Sequence, residues 1–234
     1  MATDEKPDNL RELYIKTINL FQKHGGELDQ VRQLLDIRLN QLALAYTTEN
    51  NLPPEAITIK TRVKSFTSFL NKMENLQIAD FNFPHNVLHD LIGARVICWF
   101  LDDCRGIANC IRNSNFISVE DKGFMDYTKT PKPSGYRGIH LHAKISYEST
   151  VTANCQVKQE PKKLLCEIQV RTKLMDAWAD FTHEFHYKSK SLGIEDPHLE
   201  KVLESQAQRF FSEDESFIAI RNLYQQMVTG SKRS

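Results

Sequence analysis

The chain has 234 residues, with 30 basic and 30 acidic side chains and a formal charge of zero at pH 7. That length suits one domain with helical extensions and a substantial core. The charge balance disfavours a uniformly basic nucleic-acid binder but leaves room for a local basic patch. No run of about 18 apolar residues is present, which argues against a helical membrane span, and the polar start from Met1 to Asp8 does not read as a signal peptide. The cysteines (Cys98, Cys104, Cys110, Cys155, Cys166) are odd in number and scattered. They therefore suggest neither a disulfide framework nor a zinc site. Cys98, Cys110 and Cys166 lie in apolar runs, where a thiol acts as a small buried hydrophobe. A reducing, cytoplasmic setting is expected.

From Leu10 to Tyr46 the apolar spacing is helical, opened by Leu13, Ile15, Ile18, Leu20 and Phe21. The pair Gly25-Gly26 is expected to break this helix, because glycine has poor helix propensity. Pro53-Pro54 ends the region. Ala56 to Val63 alternates and is rich in β-branched residues, so it reads as a strand. Ser65 looks like the N-cap of a short helix through Leu76.

Leu91 to Phe100 is a nearly continuous apolar run, typical of a strand covered on both faces. Asp102 or Asp103 is expected to cap a helix reaching Asn113. Phe116 to Val119 suggests a short strand, and Lys122 to Arg137 a loop rich in Lys, Pro, Gly and Tyr. Ile139–Tyr147 and Leu164–Val170 alternate as strands, with a hairpin connection expected over Glu148–Lys163. Helices are expected from Thr172 to Lys190 and again after Pro197, with a frayed tail from Gly230. Strands and helices alternate irregularly, so the class is α/β or α+β with a mixed sheet.

Three segments break structural rules in the way sites tend to. Asp90 heads a buried strand, where a carboxylate is expensive to desolvate without a cation or donors. Glu167, Gln169 and Arg171 share one strand face, while Cys166, Ile168 and Val170 form the opposite, apolar one. Two carboxylates on neighbouring strands would make an oxygen-lined Mg²⁺ site. Taken singly, each acid fits a local ion pair with Arg95 or Arg171 equally well. The third segment, Asp126 to His140, is fixed by prolines and glycines. It carries Lys129, Lys132 and Arg137 for phosphates and Tyr136 as a flat face for a base, although composition alone also fits a solvated loop. Arg62 and Lys64 sit where a strand feeds a helix, whose N-terminus adds donors for an anion. On the helix after Glu167, Met175, Trp178 and Ala179 read as core packing. His183 and His186 read as structural residues without an obvious third metal ligand.

Taken in order, four motifs resemble the synthetase domain of the RelA/SpoT family, in particular the small alarmone synthetases. They are Arg62-Val63-Lys64-Ser65 followed by Ser68 and Lys72; Asp90-Leu91-Ile92-Gly93-Ala94-Arg95-Val96; Pro131 to His140; and Glu167 to Ala179 followed by His183, Tyr187 and Lys188. The resemblance covers about Ile57 to Lys188. It implies a nucleotidyltransferase-like fold with a mixed sheet of about five strands between helices. It also implies a pyrophosphokinase that moves the β,γ-pyrophosphate of ATP onto the ribose 3′-hydroxyl of GDP or GTP. Asp90 would be the main Mg²⁺ ligand, and Glu167 would share the metal or draw the proton from the 3′-hydroxyl. Arg62, Lys64, Ser68, Lys72 and Arg95 would hold ATP. Tyr136 would stack on the acceptor base, with Lys129, Lys132 and His140 near the acceptor phosphates and Gln169 and Arg171 completing that side.

Two positions depart from the family pattern. Met125 stands where a basic residue usually precedes the Asp-Tyr pair, with Lys122 as a differently spaced substitute. Gly138 stands where a serine often follows the loop tyrosine. His89-Asp90 matches the family's hydrolase domain only as a dipeptide, so no hydrolase activity is expected.

Residues 1–50 and 191–234 are expected to be helical regions flanking a catalytic unit at 51–190; their apolar content fits closing the core, whereas the resemblance implies that they help build a homo-oligomer, often a tetramer. Toxin-type relatives that modify the 3′ end of tRNA, with an antitoxin partner, are the nearest alternative. Lys158, Lys162, Lys163, Lys188 and Lys190 would then be candidates for a basic track. An adenine-nucleotide acceptor or a non-catalytic nucleotide-binding module are further alternatives.

Overall fold

A computed structural model describes residues 5–77, 88–153, 155–191 and 196–231. The elements are α1 (Glu5–Glu49), β1 (Ile57–Val63), α2 (Phe66–Asn75), β2 (Ile92–Cys98), α3 (Leu101–Arg112), β3 (Ile117–Asp126), β4 (Ile139–Ala153), β5 (Gln156–Thr172), α4 (Lys173–Ser191) and α5 (Pro197–Ser231). The strands form one five-stranded sheet in the order β1-β2-β5-β4-β3. Only the central pair β2/β5 is parallel, so the sheet is mixed.

Alternation gives the sheet two unlike faces. Ala94, Val96 and Cys98 of β2, Leu141, Ala143 and Ile145 of β4, and Cys166, Ile168 and Val170 of β5 are all buried. They join one core with Leu28, Val31, Leu35 and Leu39 of α1 and Cys104, Ile107 and Ile111 of α3. The opposite face carries the polar residues described below. All five cysteines are free thiols, and among the described residues no helix is long and apolar enough to cross a membrane.

Four local expectations need correction. First, α1 runs unbroken through Gly25-Gly26. Leu13, Leu20, Leu28, Val31, Leu35 and Leu39 keep one buried stripe in phase across the pair. Each buried leucine contributes about 1.5–3 kcal/mol, against about 1 kcal/mol lost per glycine. Second, neither Asp102 nor Asp103 caps α3. The N-cap is Phe100, and both acids instead meet Arg221 of α5, with Asp103 also accepting from Tyr46 Oη at 3.1 Å.

Third, the segment 122–126 belongs to β3, whose register shifts between Val119 and Phe124, and the loop proper follows it. Fourth, the hairpin connection expected within 148–163 is there, but the two strands extend through most of that stretch. β4 and β5 pair out to Ala153 and Gln156, with Cys155 at a φ of 61° in the reversal. This hairpin is tied to α1 through Glu27, which accepts from Tyr147, Ser149 and Lys162 at 2.9, 2.9 and 3.2 Å. Burial pushes Glu27 up, but these donors outweigh it and hold the carboxyl down at about 2. The side chains of His186, Lys188 and Lys190, and the tail beyond Ser231, lie outside the described residues.

Candidate active site

Lys60 and Arg62 point to the polar face of the sheet because they alternate with Ile59, Thr61 and Val63, which face α1. The backbone of Lys64 continues past the strand, donating to the Leu91 carbonyl at 2.8 Å. This puts Lys64 Nζ 2.9 Å from Asp90 Oδ2. Ser65 caps α2 as expected, its Oγ accepting from Ser68 N at 3.3 Å. The capped helix aims Lys72 Nζ to 2.8 Å from Asp90 Oδ1. Asp90 itself sits in a single 3-10 turn, His89–Leu91, at the mouth of β2. Burial pushes its carboxyl up, but the hydrogen bonds from Lys72 and Lys64 outweigh this and hold it below the ordinary value.

An open cleft runs along the polar face, lined by Arg62, Asp90, Arg95, Glu167, Gln169 and the backbone at Gly93. The β2/β5 register sets Gly93 beside Glu167 and Arg95 beside Gln169. Asp90, in the turn that leads into β2, and Glu167 of β5 line the same cleft. Arg95 is drawn toward α4, with Nη1 at 3.3 Å from Asp176 and 2.8 Å from Asp180.

Five side chains close a ring of hydrogen bonds beside the cleft. Glu167 Oε1 lies 3.0 Å from His140 Nδ1, and His140 Nε2 lies 2.6 Å from Tyr136 Oη. Arg171 Nε donates to that hydroxyl at 3.0 Å. Arg171 Nη2 donates to Gln169 Oε1 at 2.6 Å, and Gln169 Nε2 returns to Glu167 Oε2 at 3.0 Å. With Tyr136 donating to His140 Nε2, the tautomer carrying Nδ1–H donates to Glu167 and the ring is satisfied throughout. Burial pushes Glu167 up, and the hydrogen bond from His140 outweighs this and brings it below the ordinary carboxyl value. Beyond Glu167, His142 stacks on His89 at 4.3 Å; burial, and then the charge of His89, lowers its pKa.

The loop between β3 and β4 turns back on itself, Lys132 N donating to the Tyr136 carbonyl at 3.1 Å. Lys132 Nζ lies 4.6 Å from the Tyr127 ring centre and 5.1 Å from that of Tyr136, while the Arg171 guanidinium lies 5.1 Å from the latter. The loop is seated on α5. Gly135, at a φ of 76°, lies so close that a Cβ there would come within 2.8 Å of Ala207 Cβ. Arg137 spans Thr128 O at 2.7 Å and Gln208 Oε1 at 2.8 Å, over the Phe211 ring at 3.9 Å. Gly138 also has a physical reason, since its φ is 149° and a Cβ would sit 3.1 Å from Tyr136 Oη.

The structure thus gathers Arg62, Lys64, Lys72, Asp90, Arg95, Glu167 and Gln169 at the cleft, with His140, Tyr136, Lys132 and Arg171 adjoining. It does not bring Lys129 to them: that side chain is 70% exposed, and its nearest acid is Asp126 at 3.9 Å. Ser68 is exposed and engaged with Ser65, Oγ to Oγ at 2.9 Å. Met125 stays among its neighbours on β3, with Tyr127 Oη 3.5 Å from its sulfur, while Lys122 is exposed on the irregular stretch of the strand. Sequence reasoning missed Lys60 and Asp176. The first was legible from the strand alternation that placed Arg62. The second depends on where α4 docks.

Asp90 and Glu167 offer oxygen donors only. Among the described residues no three His, Cys, Asp or Glu side chains form a metal-binding group. A pair of carboxylates in an open cleft fits Mg²⁺, which keeps waters and phosphate oxygens in its shell, better than it fits zinc.

A helix-flanked mixed sheet of five strands, with two carboxylates and a crown of cations in one cleft, is a nucleotidyltransferase-like architecture. A family pattern described as "Region found in RelA / SpoT proteins" matches residues 61–192, more than half of the sequence, and the chain belongs to that family. GTP pyrophosphokinase YwaC of Bacillus subtilis (strain 168) is 31% identical over 156 residues, 66% of this chain and 69% of YwaC. A GTP pyrophosphokinase family protein from Streptococcus pneumoniae superposes with a TM-score of 0.72 at 26% identity, covering 88% of this chain and 95% of its own. Small alarmone synthetase 1 from Bacillus subtilis, solved with its product pppGpp, superposes with a TM-score of 0.68 at 24% identity, covering 88% of this chain and 99% of its own. At that identity the likeness speaks for the fold.

Proposed function

We propose that the chain is a pyrophosphokinase that transfers the β,γ-pyrophosphate of ATP to the ribose 3′-hydroxyl of GDP or GTP, releasing AMP and making (p)ppGpp. The observation that carries this reading is the pair Asp90 and Glu167 in one cleft, between a cationic donor side and the Tyr136 loop. Family membership and relatives named GTP pyrophosphokinase support it. Pyrophosphoryl transfer needs positioning and charge stabilisation more than a covalent nucleophile.

Arg62, Lys64, Lys72 and Arg95 hold ATP, with Ser68 at the N-terminus of α2. Asp90 is the main Mg²⁺ ligand, with Glu167 beside it, and the ion supplies charge neutralisation for the triphosphate when bound. Glu167, held ionised by His140, takes the proton of the 3′-hydroxyl as its oxygen attacks the β-phosphorus in line. The bond from that phosphorus to the α–β bridging oxygen breaks, and AMP leaves with the electron pair. Tyr136 offers its ring to the acceptor base, the exposed Lys132 moving from the ring toward the acceptor phosphates; Lys129 reaches them only if the loop moves. Gln169 and Arg171 fix this side through the hydrogen-bond ring.

Residues 51–190 form the catalytic unit in this reading, and the helical regions 1–50 and 191–234 complete its core and assemble copies in the cytoplasm. Ile220, Leu223, Tyr224 and Met227 expose apolar surface along α5. Light scattering at micromolar concentration is expected to give a tetramer, and a strict monomer would remove that part of the reading.

The activity is tested by incubating the protein with labelled ATP, Mg²⁺ and either GDP, GTP, AMP or tRNA. Label on the guanine nucleotides supports the proposal. Label on tRNA alone would make this a toxin-type member, label on AMP alone would make it an adenine-nucleotide enzyme, and no transfer at all would leave a binding module.

A further inference from the structure

We propose that Asp176 is a positioning residue that ties the donor side of the site to the acceptor side; this rests on the reading that Arg95 meets ATP and Arg171 serves the acceptor. Asp176 is 6% exposed and lies in the first turn of α4. Its Oδ1 accepts from Arg95 Nη1 at 3.3 Å and from Arg171 Nη1 at 3.2 Å. Its Oδ2 lies 4.0 Å from Lys60 Nζ. One buried carboxylate is therefore shared by two guanidinium groups that rise from the adjacent parallel strands β2 and β5.

Neighbouring contacts make the link stiff. α4 starts on a fixed cap, Met175 N donating to Thr172 Oγ1 at 3.1 Å. Arg171 is committed on its other nitrogens to Tyr136 and Gln169, so a shift of Asp176 reaches the base-holding tyrosine through a single side chain. Among the described residues Arg95 is tethered by Asp176 and by Asp180, whose side chain is 58% exposed. One carboxylate shared by three cations leaves surplus positive charge facing the cleft, which suits an anionic nucleotide. Filling the donor side fixes Arg95 and through Asp176 stiffens Arg171, and by thermodynamic reciprocity the acceptor does the same for ATP.

Asp180 supplies the control, because it touches Arg95 and not Arg171. Asp176→Asn is expected to raise the KM for both nucleotides, by roughly tenfold each as for loss of a charge-assisted hydrogen bond. It is also expected to erase the improvement that saturating GDP brings to the binding of a non-hydrolysable ATP analogue. Asp180→Asn is expected to raise only the KM for ATP, by no more than about threefold as for an exposed ion pair. Asp176→Glu, which keeps the charge, should recover part of the loss.

The inference is overturned if Asp176→Asn changes the KM for one nucleotide alone, or lowers the melting temperature while both KM values stay at wild type. Should that variant not fold, Arg95→Lys reads the same link from the other end: its acceptor KM rises if Asp176 couples the sides and is unchanged if it does not. Failure of the underlying reading looks different. In that case the wild type itself transfers no pyrophosphate, or Asp90→Asn turns over like the wild type.

Discussion

Two carboxylates of the cleft and one on the other face of the sheet respond to burial in opposite ways. On the cleft face, burial pushes Asp90 and Glu167 up, yet Lys72 and Lys64 at the first and His140 at the second hold both below their ordinary values. On the other face, Thr172 continues the buried row of Cys166, Ile168 and Val170, and its hydroxyl donates to Asp214 of α5 at 2.7 Å. A neutral hydroxyl does not offset burial there, and the carboxyl is pushed up to about 6. Desolvation is common to all three acids, and the number and strength of the donors around each decide the sign. The two cleft acids stay ionised despite burial, as functional acids do; Asp214 belongs to the packing, whereas Glu27, away from the cleft, is held ionised by its own donors.

Substitutions on adjacent residues of β5 test this contrast most strongly. Glu167→Gln is expected to lower kcat by about 10²–10⁴-fold, as for loss of a general base, with a melting temperature close to wild type. Asp90→Asn should do the same. Near-normal turnover in either would break the assignment of the cleft face. Ile168→Ala, one residue along on the buried face, is expected to cost about 2–5 kcal/mol in urea unfolding, while the folded enzyme keeps its KM values. A KM change as large as that of a cleft variant would show that the two faces are not separable.

The smallest effect sharpens the comparison through pH. Asp214 has a folded pKa near 6, raised from an ordinary 3.8, so the fold favours its protonated form. The stability contributed by this group is therefore lost as pH rises from about 4 to about 6 and is level above that. Asp214→Asn keeps an acceptor for Thr172 and removes the charge, so it is expected to stabilise the protein by about 1–3 kcal/mol at pH 8 and by progressively less toward pH 4. Destabilisation at pH 8 would mean that the carboxylate has a favourable partner.

Much of this contrast was legible before any coordinates. Alternation along Cys166 to Arg171 separated the apolar face from the polar one, and Ser65 announced its helix, because both signals are local. Gly25-Gly26 misled, since a helix propensity is a weak local term and the buried leucine stripe on either side is a tertiary one. The outer half of the β4–β5 hairpin was missed for a related reason. Thr150, Val151, Val157 and Lys158 are exposed, so backbone pairing holds those strands without an apolar alternation to reveal them. Asp176 reads in sequence as one more polar helix residue. Its meaning arises only when two strands deliver Arg95 and Arg171 to the same oxygen. Lys129 shows the opposite error, a basic residue in the right loop that the backbone turns outward.

The seating of the Tyr136 loop on α5 has a consequence for how the protein is made. Gly135 and Arg137 rest on Ala207, Gln208 and Phe211, some seventy residues further along the chain. On the ribosome, the sheet and the carboxylate pair can form while that helix is still being translated. The Tyr136 loop has no seat until α5 emerges, so a nascent chain brings its two carboxylates together before that loop is in place.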